Sequence, residues 1–261
     1  MYALFFFCCF AAAQAQPDSC GVRISLLTCS PGEELYSTFG HTAVRVTDFS
    51  TGTDLVYNYG TFEFSPDFYA KFIQGKLRYY LSVEPFEDFL YAYQWESRSV
   101  VEQVFLLNCA DKQSFVAALR LNALEENRYY LYDFLFDNCT TRPKVVMEKS
   151  VSSPVVWKNI LPQETPTFRN LIHSYLDSGG QYWSKLGIDL LLGAKLDRKV
   201  TNQQAMFLPH YLLRRLNAAT PPGQALVHAG AIDNIVGFPL AGGQPSAPRI
   251  VAGLGGRGSD A

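Results

Sequence analysis

Two residues far apart in the chain could do chemistry together: Cys139 and His41. A thiolate is a strong nucleophile, but a free thiol of pKa about 8.5 is only ~3% ionised at pH 7. Lowering that pKa by two units, worth roughly 2.7 kcal/mol, makes the group mostly thiolate. A histidine within reach supplies that shift and shuttles the proton. Cys139 lies near the end of YYLYDFLFDNCTTR, Tyr129 to Arg142. Asp137-Asn138 favours turns and helix caps, and Val145 to Lys149 reads as helix, so Cys139 falls at a helix N-terminus. There the helix dipole and unpaired N–H groups favour the thiolate. Pro143 lacks an N–H, so that helix must start as late as Thr140 or kink in its first turn. The competing reading of Cys139 is a buried small hydrophobe. That of His41 is a satisfied histidine at a strand start.

The chemistry these residues suggest is nucleophilic. Cys139 attacks an ester carbonyl, His41 moves protons, and the Cys139 N–H with Asn138 stabilises the oxyanion. An amine or water then resolves the thioester. Asn58 is the candidate to orient the imidazole; the alternative is a strand Asn serving backbone groups. Arg142 and Arg45 could meet a lipid phosphate, or form ordinary surface salt bridges.

Several elements must position these groups. Val22 to Leu27 is strand-like, and Pro31 with Glu33-Glu34 predicts a short helix over Glu33 to Thr38. Gly40 then releases the chain into the strand Thr42 to Val46, with His41 at its mouth. A second strand, Leu55 to Tyr59, returns after the loop Asp48 to Asp54. A loop centred between Phe49 and Ser50 sets Asn58 opposite His41. One centred between Thr51 and Gly52 sets Phe62 there, leaving Asn58 roughly 13 Å along the strand. Either way the two share a face, because the shift is even. Pro66 to Gln74 reads as helix. Leu77, Tyr79, Leu81 and Val83 alternate with polar or smaller groups as a half-buried strand. Pro85 opens a helix to Glu96, and Val100 to Leu107 is a strand. Asp111 caps a helix to about Glu125, with Phe115, Val116, Leu119 and Ala123 inward. Helical pieces follow at Thr167 to Leu176, Gly187 to Leu192 and Asn202 to Leu216.

Composition bounds the function. The chain has 261 residues, 48% of them hydrophobic, enough for a real core. A formal net charge of -2 gives no reason to expect nucleic acid. The 15 Tyr and 19 Phe suit strands and a wet-edged apolar groove alike. Residues 1–15 read as a cleaved export signal: Leu4 to Ala13 is a short apolar run ending in Ala13-Gln14-Ala15. No Lys or Arg precedes the run, and its length is too small to span a bilayer. Cys8 and Cys9 leave with that segment. In the oxidising compartment beyond, one pair among Cys20, Cys29 and Cys109 could form a disulfide, if Cys139 stays reduced. From Ala218 to Ala261, Pro, Gly and Ala dominate, which predicts a disordered tail after one domain over 16–217. There is no zinc-type Cys/His spacing and no phosphate-binding glycine loop, so no metal or cofactor is expected. His173, His210 and His228 lack spaced partners.

A histidine on an early strand followed by a cysteine at a helix start reverses the papain order. It matches circularly permuted NlpC/P60-like enzymes, an α+β, papain-like fold with an antiparallel sheet, packed helices and further C-terminal helices. Five stretches, CSPGEELYSTFGHTAVRV, LVYNYGTFEF, GKLRYYLSVEPFEDF, ENRYYLYDFLFDNCTTR and GIDLLLGAKLDRKVTNQQAMFLP, resemble the Lnb N-terminal periplasmic domain family. The resemblance runs from about Cys29 to about Leu216. That family is named for a lipoprotein N-acyltransferase. The resemblance therefore implies a periplasmic enzyme, peripheral to a membrane. It would transfer an acyl chain from a phospholipid donor to the α-amine of a diacylglyceryl-cysteine lipoprotein acceptor, with help from a membrane-protein partner. On the matching positions, His41 and Cys139 carry the chemistry. Two other classes use the same features: a periplasmic cysteine hydrolase (peptidase, amidase or lipase-like), and a non-catalytic binding module.

Overall fold

A computed structural model describes residues 20–63, 71, 76–219, 226 and the backbone of 233–234. The segment read as an export signal and most of the tail lie outside the described residues, as does the helix read over Pro66 to Gln74 apart from Lys71, which is helical.

The architecture is α+β. The strands are β1 (Val22–Cys29), β2 (His41–Asp48), β3 (Thr53–Thr61), β4 (Arg78–Pro85), β5 (Val100–Val104), β6 (Tyr129–Leu131) and the two-residue β7 (Asp233–Asn234). They form one antiparallel sheet in the order β6-β4-β3-β2-β1-β5-β7. The helices are α1 (Phe86–Trp95), α2 (Cys109–Asn122), α3 (Thr141–Ser150), α4 (Phe168–Ser178), α5 (Tyr182–Leu192), α6 (Asn202–Ala205) and α7 (Pro209–Ala218).

Alternation along β1 explains the layering. Ile24 and Leu26 meet Phe115 and Leu119 of α2 and Met147 of α3, while Leu27 and Cys29 meet Phe86 and Phe89 of α1. β1, an interior strand, is therefore covered on both faces, and every residue from Ile24 to Cys29 is buried. A second core joins Phe168, Leu171 and Ile172 of α4 to Leu196, Phe207 and Leu208.

Several sequence expectations need correction. Residues 33–39 form turns, not a helix. The Ser37 and Thr38 hydroxyls both donate to the Glu34 carbonyl, and the Ser37 N–H bonds the same group, so local side-chain bonds displace a helical ladder. Asn108, not Asp111, caps α2: its side chain accepts from the Asp111 N–H at 2.9 Å. The Asp111 carboxylate instead binds the Ser152 N–H and hydroxyl, tying α2 to the end of α3. The segment Asn202 to Leu216 is two helices, broken where Pro209 starts α7. Val83 is exposed rather than half-buried. Within the stretch read as a mostly disordered tail, Ala219 and Leu226 are buried, the Leu226 carbonyl accepts from the Leu106 N–H, and β7 pairs with β5.

One disulfide joins Cys20 and Cys109, 89 residues apart, and fastens the start of β1 to the start of α2. Cys29 and Cys139 are the free cysteines among the described residues. Closing a loop of this length removes about 4–5 kcal/mol of unfolded-chain entropy in the loop-closure treatment. Native-state relaxation returns part of it, so replacing both residues by Ser should lower Tm by about 5–15 °C. Thermal unfolding of the double variant checks this; an unchanged Tm would show the bridge is not formed.

Candidate active site

The site is built at one end of the sheet, where β2 begins. Gly40 has φ +79°, and a Cβ there would lie 2.6 Å from the Cys29 carbonyl oxygen, so the chain can turn into β2 this tightly only with glycine. His41 then pairs with Cys29 across β1 and β2. The β2–β3 ladder matches Val44 with Tyr57 and Asp48 with Thr53. Its centre falls between Ser50 and Thr51, midway between the two registers the sequence allowed. Asp48 sets it, accepting from the Ser50 N–H and hydroxyl and from the Thr51 N–H, while Gly52 closes the loop with φ +69°. Continuing that register puts Gly60 across from His41 and Asn58 on the diagonal, two residues along the same face.

The diagonal carries a short hydrogen bond. His41 Nε2 lies 2.6 Å from Asn58 Oδ1, and Asn58 Nδ2 donates to Glu84 Oε1 at 3.1 Å. The second bond decides the first: the Glu84 carboxylate takes the amide N–H, so Asn58 presents its oxygen to the ring. His41 Nε2 must then carry the proton, which turns Nδ1 toward the thiol. Glu84 was not legible as a site residue, because only the β3–β4 register brings it diagonally across from Asn58.

Cys139 enters from the other side of the sheet end. Helix α3 starts at Thr141, so Pro143 sits in the first turn, where its missing N–H costs nothing. Asn138 shapes that start. Its Oδ1 accepts from the Thr140 and Thr141 N–H groups, at 2.8 and 2.9 Å, and its Nδ2 donates to the Phe134 and Phe207 carbonyls. Its backbone N–H is taken by Thr141 Oγ1. Asn138 is therefore a buried cap with every donor engaged, and the expectation that it serves the oxyanion is corrected. The Cys139 N–H has no hydrogen-bond partner among the described residues.

Gly60 makes the meeting possible. A Cβ there would stand 3.1 Å from Cys139 Cβ and 3.6 Å from His41 Cε1, and φ is +91°. The thiol and imidazole share the space that a side chain would fill.

The electrostatics separate the two free thiols. Burial pushes the Cys29 thiol up to about 12. Burial also pushes Cys139 up, but the charge and hydrogen bond of His41, the Thr140 hydroxyl and the Thr42 N–H together outweigh it and leave the thiol below its ordinary value. For His41, burial acts downward, while Cys139 and Asn58 raise it, with a net rise. The pair thus favours thiolate and imidazolium. The help expected from free helix N–H groups is replaced by Thr140 Oγ1, 3.8 Å from the sulfur. Tyr79, Tyr130 and Tyr132 stand around the thiol; burial first, and then the Cys139 charge, raise all three phenols.

The two arginines are not brought to this pair as free cations. Arg45 forks onto Asp54, reaches Glu102 at 3.2 Å, and lies 3.5 Å over the Phe86 ring. Arg142 pairs with Asp137, donating from Nη2 to Oδ2 at 2.8 Å, and covers the Tyr130 ring at 3.5 Å. Both are packed salt bridges, so the phosphate-binding expectation for them is set aside. His173 is accounted for by Asp189, at 2.8 Å.

Alkylation tests the pair. In the native chain Cys139 should react and Cys29 should not. Reactivity should rise as pH passes the lowered thiol pKa, below the ordinary thiol value. In His41→Ala burial is opposed only by the Thr140 and Thr42 bonds, so the midpoint should move upward and the rate at pH 7 should fall about tenfold or more. Equal rates in the two proteins would reduce Cys139 to a packed cysteine.

The profile of the Lnb N-terminal periplasmic domain matches residues 10–173, more than half of the chain. No curated protein and no solved structure matches. The match spans β2, β3, β4 and the Cys139 turn, so it covers the residues that build the site. The chain belongs to the Lnb N-terminal periplasmic domain family.

Proposed function

We propose that the chain is a periplasmic, thiol-dependent acyltransferase that forms an acyl-thioester on Cys139, on a circularly permuted papain-like fold. The observation that carries this reading is the chain of contacts Glu84–Asn58–His41–Cys139 ending at a lowered thiol. A cysteine held as thiolate by an oriented imidazolium is the activated nucleophile of covalent catalysis. The family relationship favours a phospholipid donor and a lipoprotein amine acceptor.

The residues divide the work as follows. The Cys139 thiolate attacks the ester carbonyl carbon, a C–S bond forms, and the oxyanion takes the free Cys139 N–H. Collapse breaks the ester C–O bond, and the leaving alkoxide takes the His41 proton. A neutral acceptor amine then attacks the thioester while His41 removes one of its protons. The C–S bond breaks, Cys139 leaves as thiolate, and the thiolate–imidazolium pair is restored. Asn58 orients the imidazole throughout, and Glu84 orients Asn58. Export by cleavage after Ala15 and attachment to a membrane surface belong to this reading.

Intact-mass analysis with dispersed phospholipid should give an acyl adduct on the wild type and none on Cys139→Ala. The chain alone should lose the acyl group mainly to water, and a diacylglyceryl-cysteine peptide should move the product toward amide. Hydrolysis unchanged by any amine would assign a hydrolase; no adduct from any ester or amide would leave a binding module.

A second test addresses Glu84. Burial raises its carboxyl pKa; the Asn58 amide and the His41 charge oppose this, and Asp88 of α1 adds to it. The group is raised, so the ionised lock is lost as pH falls through that raised value. Glu84→Ala should cut kcat several-fold with KM little changed, since orientation rather than the base is lost. Glu84→Gln keeps an acceptor for the Asn58 amide. It should restore most of kcat and remove one step from the acid limb of the pH profile. An acid limb identical in Glu84→Gln and wild type would remove Glu84 from the relay.

A further inference from the structure

Helix α5 is turned inside out relative to an ordinary surface helix. Ile188 and Leu192 pack on the second core, yet the opposite pole carries Trp183, Leu186 and Leu190. Trp183 is 86% exposed, Leu190 77%, Tyr182 70% and Leu186 50%. Surface helices normally put charge there, and singly scattered apolar residues are normal whereas a contiguous patch marks a partner. No helix among the described residues is long and apolar enough to cross a membrane, so α5 is not a span.

We infer that α5 is an interfacial helix that seats this domain on an anionic phospholipid surface, beside the thiol. The inference deepens the acyltransfer reading by naming the surface from which the donor lipid is drawn.

Charge argues for lipid over a protein partner. The acids of this region, Asp189 and Asp197, are both held by Arg169, and Asp189 also by His173. Lys185 is paired with Asp177. Just beyond α5, Lys195, Arg198 and Lys199 are exposed and form no ion pair among the described residues. Along α5 and the segment after it the surplus exposed charge is positive, the complement of anionic headgroups, while the exposed acids Glu33 and Glu34 lie on the neighbouring turn. A Tyr-Trp pair at one end, leucines along the face and basic residues at the exit are the composition of a helix lying in the headgroup region.

Position argues for a link to the site. Gln181, at the start of α5, donates to the Glu33 carbonyl and to Thr38 Oγ1, both at 2.8 Å. The turn it holds runs directly into His41. Leu35 and Tyr36, on that turn, are also exposed. From Tyr36 the rings continue inward: Phe62 at 5.9 Å, Tyr79 at 5.1 Å from Phe62, and Tyr132 stacked on Tyr79 at 4.1 Å, in the wall around Cys139. A row of packed aromatic rings therefore runs from the exposed Tyr36, on the turn that Gln181 holds, to the wall around Cys139.

Flotation of the full chain on phosphatidylcholine vesicles, with and without phosphatidylglycerol, tests this. Wild type and Cys139→Ala should bind the anionic vesicles equally. The double variant Trp183→Glu with Leu190→Glu should lose about tenfold or more while its circular dichroism is unchanged. Joint Lys195→Glu, Arg198→Glu and Lys199→Glu should weaken binding on anionic vesicles alone, and added salt should do the same to wild type. Vesicles should shift the wild-type emission to the blue, and Trp183→Phe should remove most of that shift. Full binding by the double variant would overturn the inference. So would a dimer that the double variant breaks with no vesicle binding, or an unmoved Trp183 signal. Binding without any acyl adduct would sink the acyltransfer reading and spare this one; an adduct from dispersed lipid without vesicle binding would do the reverse.

Discussion

A charged pair at the end of a sheet survives only if each partner is the other's counter-ion and both are held in place. Here the holding bond is the 2.6 Å contact between His41 Nε2 and Asn58 Oδ1. It fixes the tautomer, the tautomer turns Nδ1 to the thiol, and the pairing lowers the thiol against the cost of burial. That bond in turn depends on the β2–β3 register, which Asp48 and Gly52 set at the far end of the hairpin. A loop that contains no reacting group thus determines whether the imidazole can be oriented at all.

Much of this arrangement is legible in the amino-acid sequence. Strand alternation gives Leu77, Tyr79 and Leu81 an inward face, and all three are buried. The Asp137-Asn138 break puts Cys139 just before a helix, and Pro143 puts a limit on where that helix starts. His41 and Asn58 share a face under any even shift, but the distance between them is set by the loop. What escapes is whatever depends on pairing between strands or on competition among local bonds. The register lies midway between two alternatives because Asp48 closes its own turn. Residues 33–39 lose their helix to hydroxyls that bond Glu34. Asn138 has the right chemistry for an oxyanion donor, but its amide is used to build the helix start. Glu84 lies 26 residues from Asn58, and nothing local marks it.

The free thiols illustrate how environment divides identical groups. Cys29 pairs with His41 across the sheet, closer in register than any residue of α3, yet it faces the α1 layer among Ala43, Val56 and Phe86. Burial there outweighs the Arg98 charge and the Tyr93 hydrogen bond and pushes the thiol up to about 12. Cys139 is partly exposed and meets the imidazole, a hydroxyl and an N–H. The disulfide takes the remaining described cysteines, so oxidation has its partners already assigned.

Gly60 contributes no reacting atom, and its importance lies in the volume it leaves vacant. The thiol and the imidazole approach each other across its Cα, in a backbone conformation that other residues rarely adopt. In a saturation scan this position would rank beside Cys139 and His41, and searches for catalysis by side-chain chemistry would pass over it. An empty lattice point can be as strictly inherited as a nucleophile. Drift in such a domain is then limited by what must be missing as well as by what must be present.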